Sequence, residues 1–177
     1  MGKDEIIYHV LECDEIRRLN AIDRYEIIEE VYCFKDGKLI LKKDHREFTE
    51  FPYVFELIED FTEDYEYDGT LFMGAFDGDR LVGMGGINGK FYGENKDTIQ
   101  LSCLFVSNKY RKKGIGRRLI SMLKEKTKQS GAKKLYVSSA PSKNTVDFYR
   151  SAGFDLTTPV KELFEDEPKD IHMDMEL

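Results

Sequence analysis

Leu104-Phe105-Val106-Ser107-Asn108-Lys109-Tyr110-Arg111-Lys112-Lys113-Gly114-Ile115-Gly116-Arg117-Arg118 is the stretch whose reading decides the fold. Its apolar start closes a strand-like run over residues 98–106, and Ile115, Leu119, Ile120, Met122 and Leu123 then recur at helical spacing over residues 115–128. The pattern predicts a strand leading into a helix through a short, basic, glycine-containing turn. A helix that begins near Gly114 leaves its first N–H groups without internal partners, and glycine lets a ligand approach that backbone closely. Such a terminus attracts phosphate, and the flanking lysines and arginines add fixed positive charge. The alternative is a solvated basic helix end.

Other phosphate motifs fit less well. No Gly-x-x-x-x-Gly-Lys-[Ser/Thr] run occurs. Gly83-Met84-Gly85-Gly86-Ile87-Asn88 begins like a dinucleotide fingerprint, but Asn88 stands where the last glycine belongs and a turn is expected where a helix is needed. Those glycines read instead as a bulged or closely approached strand.

Outward from the turn, residues 134–140 read as a strand, residues 144–151 as a short helix that Gly153 can end, and residues 154–158 and 171–177 as the last strands. Upstream, residues 70–76 and 81–87 flank Asp77-Gly78-Asp79-Arg80 as a hairpin, with a second turn at Asn88-Gly89. Val54, Phe55, Leu57, Ile58 and Phe61 predict a helix over residues 50–63 with an acidic outer face. Residues 32–34 and 39–41 flank Lys35-Asp36-Gly37-Lys38 as a short hairpin, and residues 12–32 carry aliphatics at roughly helical spacing.

Charge is unevenly distributed. The 177 residues hold 27 basic and 34 acidic side chains, a net charge of −7, which argues against nucleic acid as a partner. Residues 109–134 nonetheless carry eleven bases and one acid, while residues 56–68 hold seven acids and no base, interleaved with Phe61, Tyr65 and Tyr67. One region suits an anion and the other a cation.

At Arg111-Lys112-Lys113-Gly114-Ile115-Gly116 the sequence resembles the GNAT acetyltransferase superfamily, whose acyl-CoA motif reads Arg/Gln-x-x-Gly-x-Gly/Ala. Residues 144–154, with Asn144, Phe148-Tyr149 and Gly153-Phe154, resemble the family's second signature. The resemblance covers residues 70–177 in order and implies an α/β (α+β) fold, a mixed, mostly antiparallel sheet flanked by helices. It implies one domain over residues 1–177, with residues 70–177 as the acetyl-CoA-binding core and residues 1–69 as a variable part.

Carried over, the resemblance assigns backbone contacts with the pantetheine arm to Phe105 and Val106. It assigns pyrophosphate to the backbone of Arg111, Lys112, Lys113, Gly114, Ile115, Gly116 and Arg117, sets Asn144 toward the cofactor, and makes Tyr149 a general acid at the leaving sulfur. A phenol with a pKa of about 10 can protonate a thiolate whose thiol has a pKa of about 8.5. The competing reading of Tyr149 is a packed aromatic. The family often has Glu just before the position of Leu101; here Gln100 occupies it and cannot act as a base, so the base is left unassigned.

The expected activity is therefore transfer of an acetyl group from acetyl-CoA to a primary amine on a cationic small molecule. The alternative is a CoA- or phosphate-binding regulatory module without catalysis. No metal is expected, since His9, His45 and His172 are scattered and the cysteines lack Cys-x-x-Cys spacing. Asp64-Tyr65-Glu66-Tyr67-Asp68-Gly69 starts like a calcium loop, but Ala75 stands where the bidentate Glu belongs. No apolar run of about 20 residues occurs, and the start, Met1-Gly2-Lys3-Asp4-Glu5, lacks the layout of a secretory signal. Three unpaired cysteines suit a reducing compartment. A cytoplasmic protein without nucleic-acid or membrane partners, able to form a homodimer, is the expectation.

Overall fold

A computed structural model describes residues 5–164 and 169–177. The expectation drawn from Met1 to Asp4 lies outside the described residues. The central hairpin is as the turn chemistry predicts: β4 (Leu71–Asp77) and β5 (Arg80–Tyr92) pair antiparallel around Asp77-Gly78-Asp79-Arg80. β6 (Thr98–Val106) pairs antiparallel with β5, and β7 (Lys134–Ser139) runs parallel to β6. With β1 (Ile7–Val10), β8 (Asp155–Leu156) and β9 (Ile171–Glu176), they make a seven-stranded sheet of order β1-β4-β5-β6-β7-β9-β8. β6 with β7 is its one parallel pair among the described residues.

Two hydrophobic layers cover the sheet. On one face α2 (Ile115–Gln129) buries Ile115, Leu119, Ile120 and Leu123 against β4, β5 and β6, and Lys126 and Lys128 in its last turn complement the helix dipole. On the other face α1 (Val54–Asp64) and a 3-10 helix over Cys13–Ala21 bury Phe61, Ile16 and Leu19 against Phe72, Met84 and Cys103. The glycines of β5 are the sites of closest approach. A Cβ on Gly83 would lie 2.9 Å from Ile115, one on Gly85 2.9 Å from Leu123, and one on Gly86 2.5 Å from Phe72. The run that opens like a dinucleotide fingerprint is thus a packing surface for both faces.

Two expectations differ from the structure. Residues 12–32 are not helical throughout: after the 3-10 helix the chain enters β2 (Glu26–Lys35), which pairs with β3 (Lys38–Phe48) as a separate two-stranded sheet. Ile27, Ile28, Val31, Tyr32 and Phe34 are β-formers, and the hairpin partner outweighs their helical spacing. Tyr32 anchors the hairpin, donating from its backbone N–H to Pro141 O at 2.8 Å and from its hydroxyl to Asp147 at 2.9 Å on α3 (Lys143–Ser151). Asn88-Gly89 is no turn either. β5 continues to Tyr92 through a register shift between Ile87 and Phe91, and the chain reverses after Tyr92. A Cβ on Gly89 would fall 1.9 Å from Asp68 O, and its N–H donates to Thr70 Oγ1 at 2.9 Å, so the loop after α1 is clamped onto β5 there.

Candidate active site

The basic turn is built by two left-handed residues. Lys112 has φ 60° and Gly114, which caps α2, has φ 87°. Alternating hand along such a segment turns successive N–H groups into one concavity, an anion-binding nest. The first helical bond there is Arg118 N–H to Gly114 O at 3.0 Å, so the N–H groups of Ile115, Gly116 and Arg117 precede any intrahelical partner. A Cβ on Gly114 would meet nothing within 4 Å, so that position needs glycine for its conformation alone. Gly116 needs it for space: a Cβ would lie 3.0 Å from Phe148 Cζ on α3.

The cations of the turn divide into builders and free charges. Arg111 donates through Nε to Val106 O at 3.0 Å and through a terminal nitrogen to Tyr25 O at 3.1 Å, tying the turn to the end of β6. Arg117 donates to Ser151 O at 2.6 Å and Ser151 Oγ at 2.8 Å, stapling α2 to the end of α3. Lys109, Lys112, Lys113 and Arg118 form no ion pair among the described residues, and Lys113 Nζ sits 5.0 Å above the Tyr110 ring. The backbones of Arg111, Lys112, Lys113, Gly114, Ile115, Gly116 and Arg117 thus gather at the helix start, while the two arginine side chains serve the scaffold.

Beside this turn the sheet splits. β6 and β7 pair only at Thr98 with Lys134, Ile99 with Leu135 and Gln100 with Tyr136. Beyond Gln100 the strands diverge, so residues 101–106 keep their ladder to β5 but have none toward β7. A wedge with unpaired strand edges can accept an extended, amide-bearing chain by main-chain hydrogen bonds. Phe105 and Val106 lie on its β6 limb. Ser102 marks the point of divergence: Gly86 pairs with Cys103 and Ile87 with Leu101, leaving Ser102 as a bulge.

Tyr149 and Asn144 both come from α3. Ser142 caps that helix by accepting from Thr145 N–H at 3.3 Å, and Asn144 is exposed in its first turn. Tyr149 is 6% exposed and packs edge-on against Phe154. Burial pushes its phenol well above the ordinary tyrosine range, the Cys103 thiol adds to the rise, and the Arg24 guanidinium opposes it. The hydroxyl therefore keeps its proton at any ordinary pH, the form that a general acid requires. Cys103 is buried, which raises its thiol and makes it inert.

Four residues of the site carried no signal in the sequence. Arg24 lies 4.9 Å above both the Phe51 and Phe105 rings, beside the wedge, and its burial lowers its pKa. Asn88, Lys90 and Tyr92, alternate residues of β5, share a cavity of about 310 Å3 with Asp64, Gln100, Ser102 and Ser138. Asn88 donates through Nδ2 to Gln100 Oε1 at 2.8 Å, so Gln100, in the position where a carboxylate is common, is an acceptor in an amide pair. Asp64 is the carboxylate of this cavity. A second cavity of about 480 Å3 adjoins it, lined by Asp60, Glu63, Asp64, Glu66, Tyr67 and Lys90. Asp60, Glu63 and Asp64 fall on one face of α1 by their spacing of three and four. Asp64 of that face lines the first cavity together with Asn88.

The profile of the acetyltransferase (GNAT) domain matches residues 39–177. Among curated proteins none matches the chain significantly. Among solved structures, nourseothricin acetyltransferase is 17% identical with a TM-score of 0.71, over 97% of this chain and 98% of that one. A Bacillus anthracis protein crystallised with acetyl coenzyme A is 15% identical with a TM-score of 0.74, over 98% and 99%. The ribosomal-protein-S18-alanine N-acetyltransferase of Escherichia coli is 16% identical with a TM-score of 0.62, over 97% and 94%. At these identities the likeness is one of fold, whereas the profile match takes in most of the sequence, including β3 and α1, which carry no motif. With a helix-start anion nest beside a split parallel strand pair, and that match across both, the chain belongs to the GNAT acetyltransferase domain family.

Proposed function

We propose that this chain moves the acetyl group of acetyl-CoA onto a primary amine of a small cationic molecule. The observation that carries the reading is that β6 adjoins three features: the basic nest that follows its end, the wedge that opens between it and β7, and the inner of two adjoining cavities, lined by Gln100, Leu101 and Ser102, with the acid-lined one beside it. The residues present fit the donor. The nest and the free cations of Lys109, Lys112, Lys113 and Arg118 suit a pyrophosphate, and the open β6 edge suits an amide-bearing arm. When bound, acetyl-CoA supplies a thioester carbonyl for attack and a thiolate to leave.

The chain's own residues then divide the work, with residues 70–177 chiefly on the donor side and the first part of the chain adding acceptor contacts. The backbones of Phe105 and Val106 hold the arm, and the N–H groups of residues 111–117 hold the phosphates. Asn144 faces the cofactor, and Tyr149 holds its proton for the departing sulfur. On the acceptor side Asp64 is positioned to take a proton from the incoming nitrogen, the role that Gln100 cannot fill. The fold admits both small and protein acceptors, as the names of the neighbours illustrate. A cavity of about 310 Å3 is the size of a small ligand, and the four carboxylates of the adjoining cavity favour a cation.

The test is a calorimetric titration of coenzyme A followed by free-thiol release from acetyl-CoA with a panel of amines. Binding together with amine-dependent release is the expected result. Binding without release from any amine would make the chain a CoA-holding module, and absence of binding would remove the reading altogether.

A further inference from the structure

The outer cavity is an acid bowl with four carboxylates and one cation, Lys90, which forms no ion pair with them. Asp60, Glu63, Asp64 and Glu66 line it, and none of them pairs with a cation among the described residues. Four carboxylates on one wall repel each other, and that repulsion is relieved by any ammonium that enters. Lys90 already shows where an ammonium rests: its Nζ lies 4.4 Å above the centroid of Tyr67, which lines the bowl. The clamp of Gly89 against Asp68 holds the loop that carries Tyr67 against β5.

The inner cavity carries an independent sign of a ligand. Asn88 is 8% exposed, lines the cavity, and spends both Nδ2 hydrogens on Gln100 and Tyr92, while its Oδ1 is buried without a partner among the described residues. A buried acceptor left unmatched costs stability unless a donor arrives. An amine N–H is such a donor, and Ser102, where the wedge begins, lines the same cavity. Asp64 and Lys90 line both cavities, so the two are neighbouring compartments of one site.

We infer that the acceptor is a linear molecule bearing two amines: the reacting nitrogen enters the inner cavity against Asn88 Oδ1, the second ammonium occupies the bowl, and Lys90 is a tethered competitor for that second place. The inference rests on the reading of the chain as an amine acetyltransferase and adds the acceptor class and three determinants, Asp60, Glu63 and Lys90. Lys90 thereby sets a threshold. A single ammonium gains little by displacing a lysine of equal charge, whereas a second nitrogen on the same chain is held at high effective concentration by the first.

The experiment titrates a homologous series of linear diamines and the matching monoamines into the protein saturated with coenzyme A, and again without it, by calorimetry at low and high salt. For the best chain length the diamine binds about tenfold more tightly than its monoamine at low salt, the gain expected from two partly exposed ion pairs. K90M enlarges that ratio severalfold, D60N/E63Q brings it toward one, and N88A weakens both amines alike. Coenzyme A affinity unchanged in K90M and D60N/E63Q reports that they are folded. A ratio near one at every length, or a ratio that does not move in opposite directions in K90M and D60N/E63Q, overturns the inference. Failure to bind coenzyme A, by contrast, counts against the acetyltransferase reading, and the titration without it still measures the bowl.

Discussion

Replacing Gly114 by Ala separates the conformation of the nest from its sterics. A Cβ at this position meets no atom within 4 Å, so nothing is pushed aside, yet φ is 87°. An alanine in left-handed backbone costs about 1–2 kcal/mol relative to glycine. That cost appears in one of two places. If the turn keeps its shape, unfolding free energy falls by about 1–2 kcal/mol with coenzyme A affinity unchanged. If the first turn of α2 relaxes toward right-handed backbone, the N–H groups of Ile115, Gly116 and Arg117 swing away, and the same energy appears as a dissociation constant for coenzyme A raised by about five- to thirtyfold. Denaturant unfolding and calorimetry on G114A measure the two terms, and their sum is the prediction. Both quantities within about 0.5 kcal/mol of wild type, the scale of ordinary surface substitutions, would refute the nest as the phosphate anchor.

Three further outcomes follow from the geometry. Y149F is expected to lower kcat about a hundredfold with coenzyme A affinity unchanged, as for a lost general acid; since burial raises the phenol, the wild-type rate should show no loss from Tyr149 deprotonation as pH rises through the ordinary tyrosine range, and equal kcat in the variant would return Tyr149 to a packing role. R117A removes the staple to Ser151 and should cost about 1 kcal/mol, roughly 2–4 °C in Tm. Its affinity for coenzyme A is expected to stay at the wild-type value, because the guanidinium is held by Ser151; a large loss of affinity would place the guanidinium on the phosphates instead. D147A tests the anchor of the β2–β3 hairpin: Lys143 chiefly, then Tyr32, hold the Asp147 carboxyl below its ordinary value against the opposing effect of burial. A depressed carboxylate stabilises above its unfolded pKa and loses that contribution as pH falls through the folded one. The Tm gap between wild type and D147A is therefore expected at neutral pH and should close in acid; the pair is partly exposed, so the gap is at most about 1 kcal/mol.

The sequence by itself determined the part of the molecule whose chemistry is local. The two-residue turn between β4 and β5, the limits of β6, the glycine-capped start of α2 and the short helix α3 depend on residues adjacent in the chain, so they were legible from composition and spacing. The nest is legible for the same reason, since its N–H groups belong to consecutive residues. Within residues 12–32, residues 26–31 carry aliphatics that satisfy a helical spacing, and the pairing with β3 that makes them a strand lies outside any local window. Only the tertiary structure decided that β6 and β7 part after Gln100, that Arg111 and Arg117 are scaffold arginines, and that Arg24 reaches Phe105. It alone brought Asp64 at the end of α1 to Asn88 and Lys90 of β5, whose bulge the sequence reads as a turn. An acceptor pocket is made of side chains far apart in the chain, and their meeting is fixed by strand register and helix docking, which no run of neighbouring residues encodes.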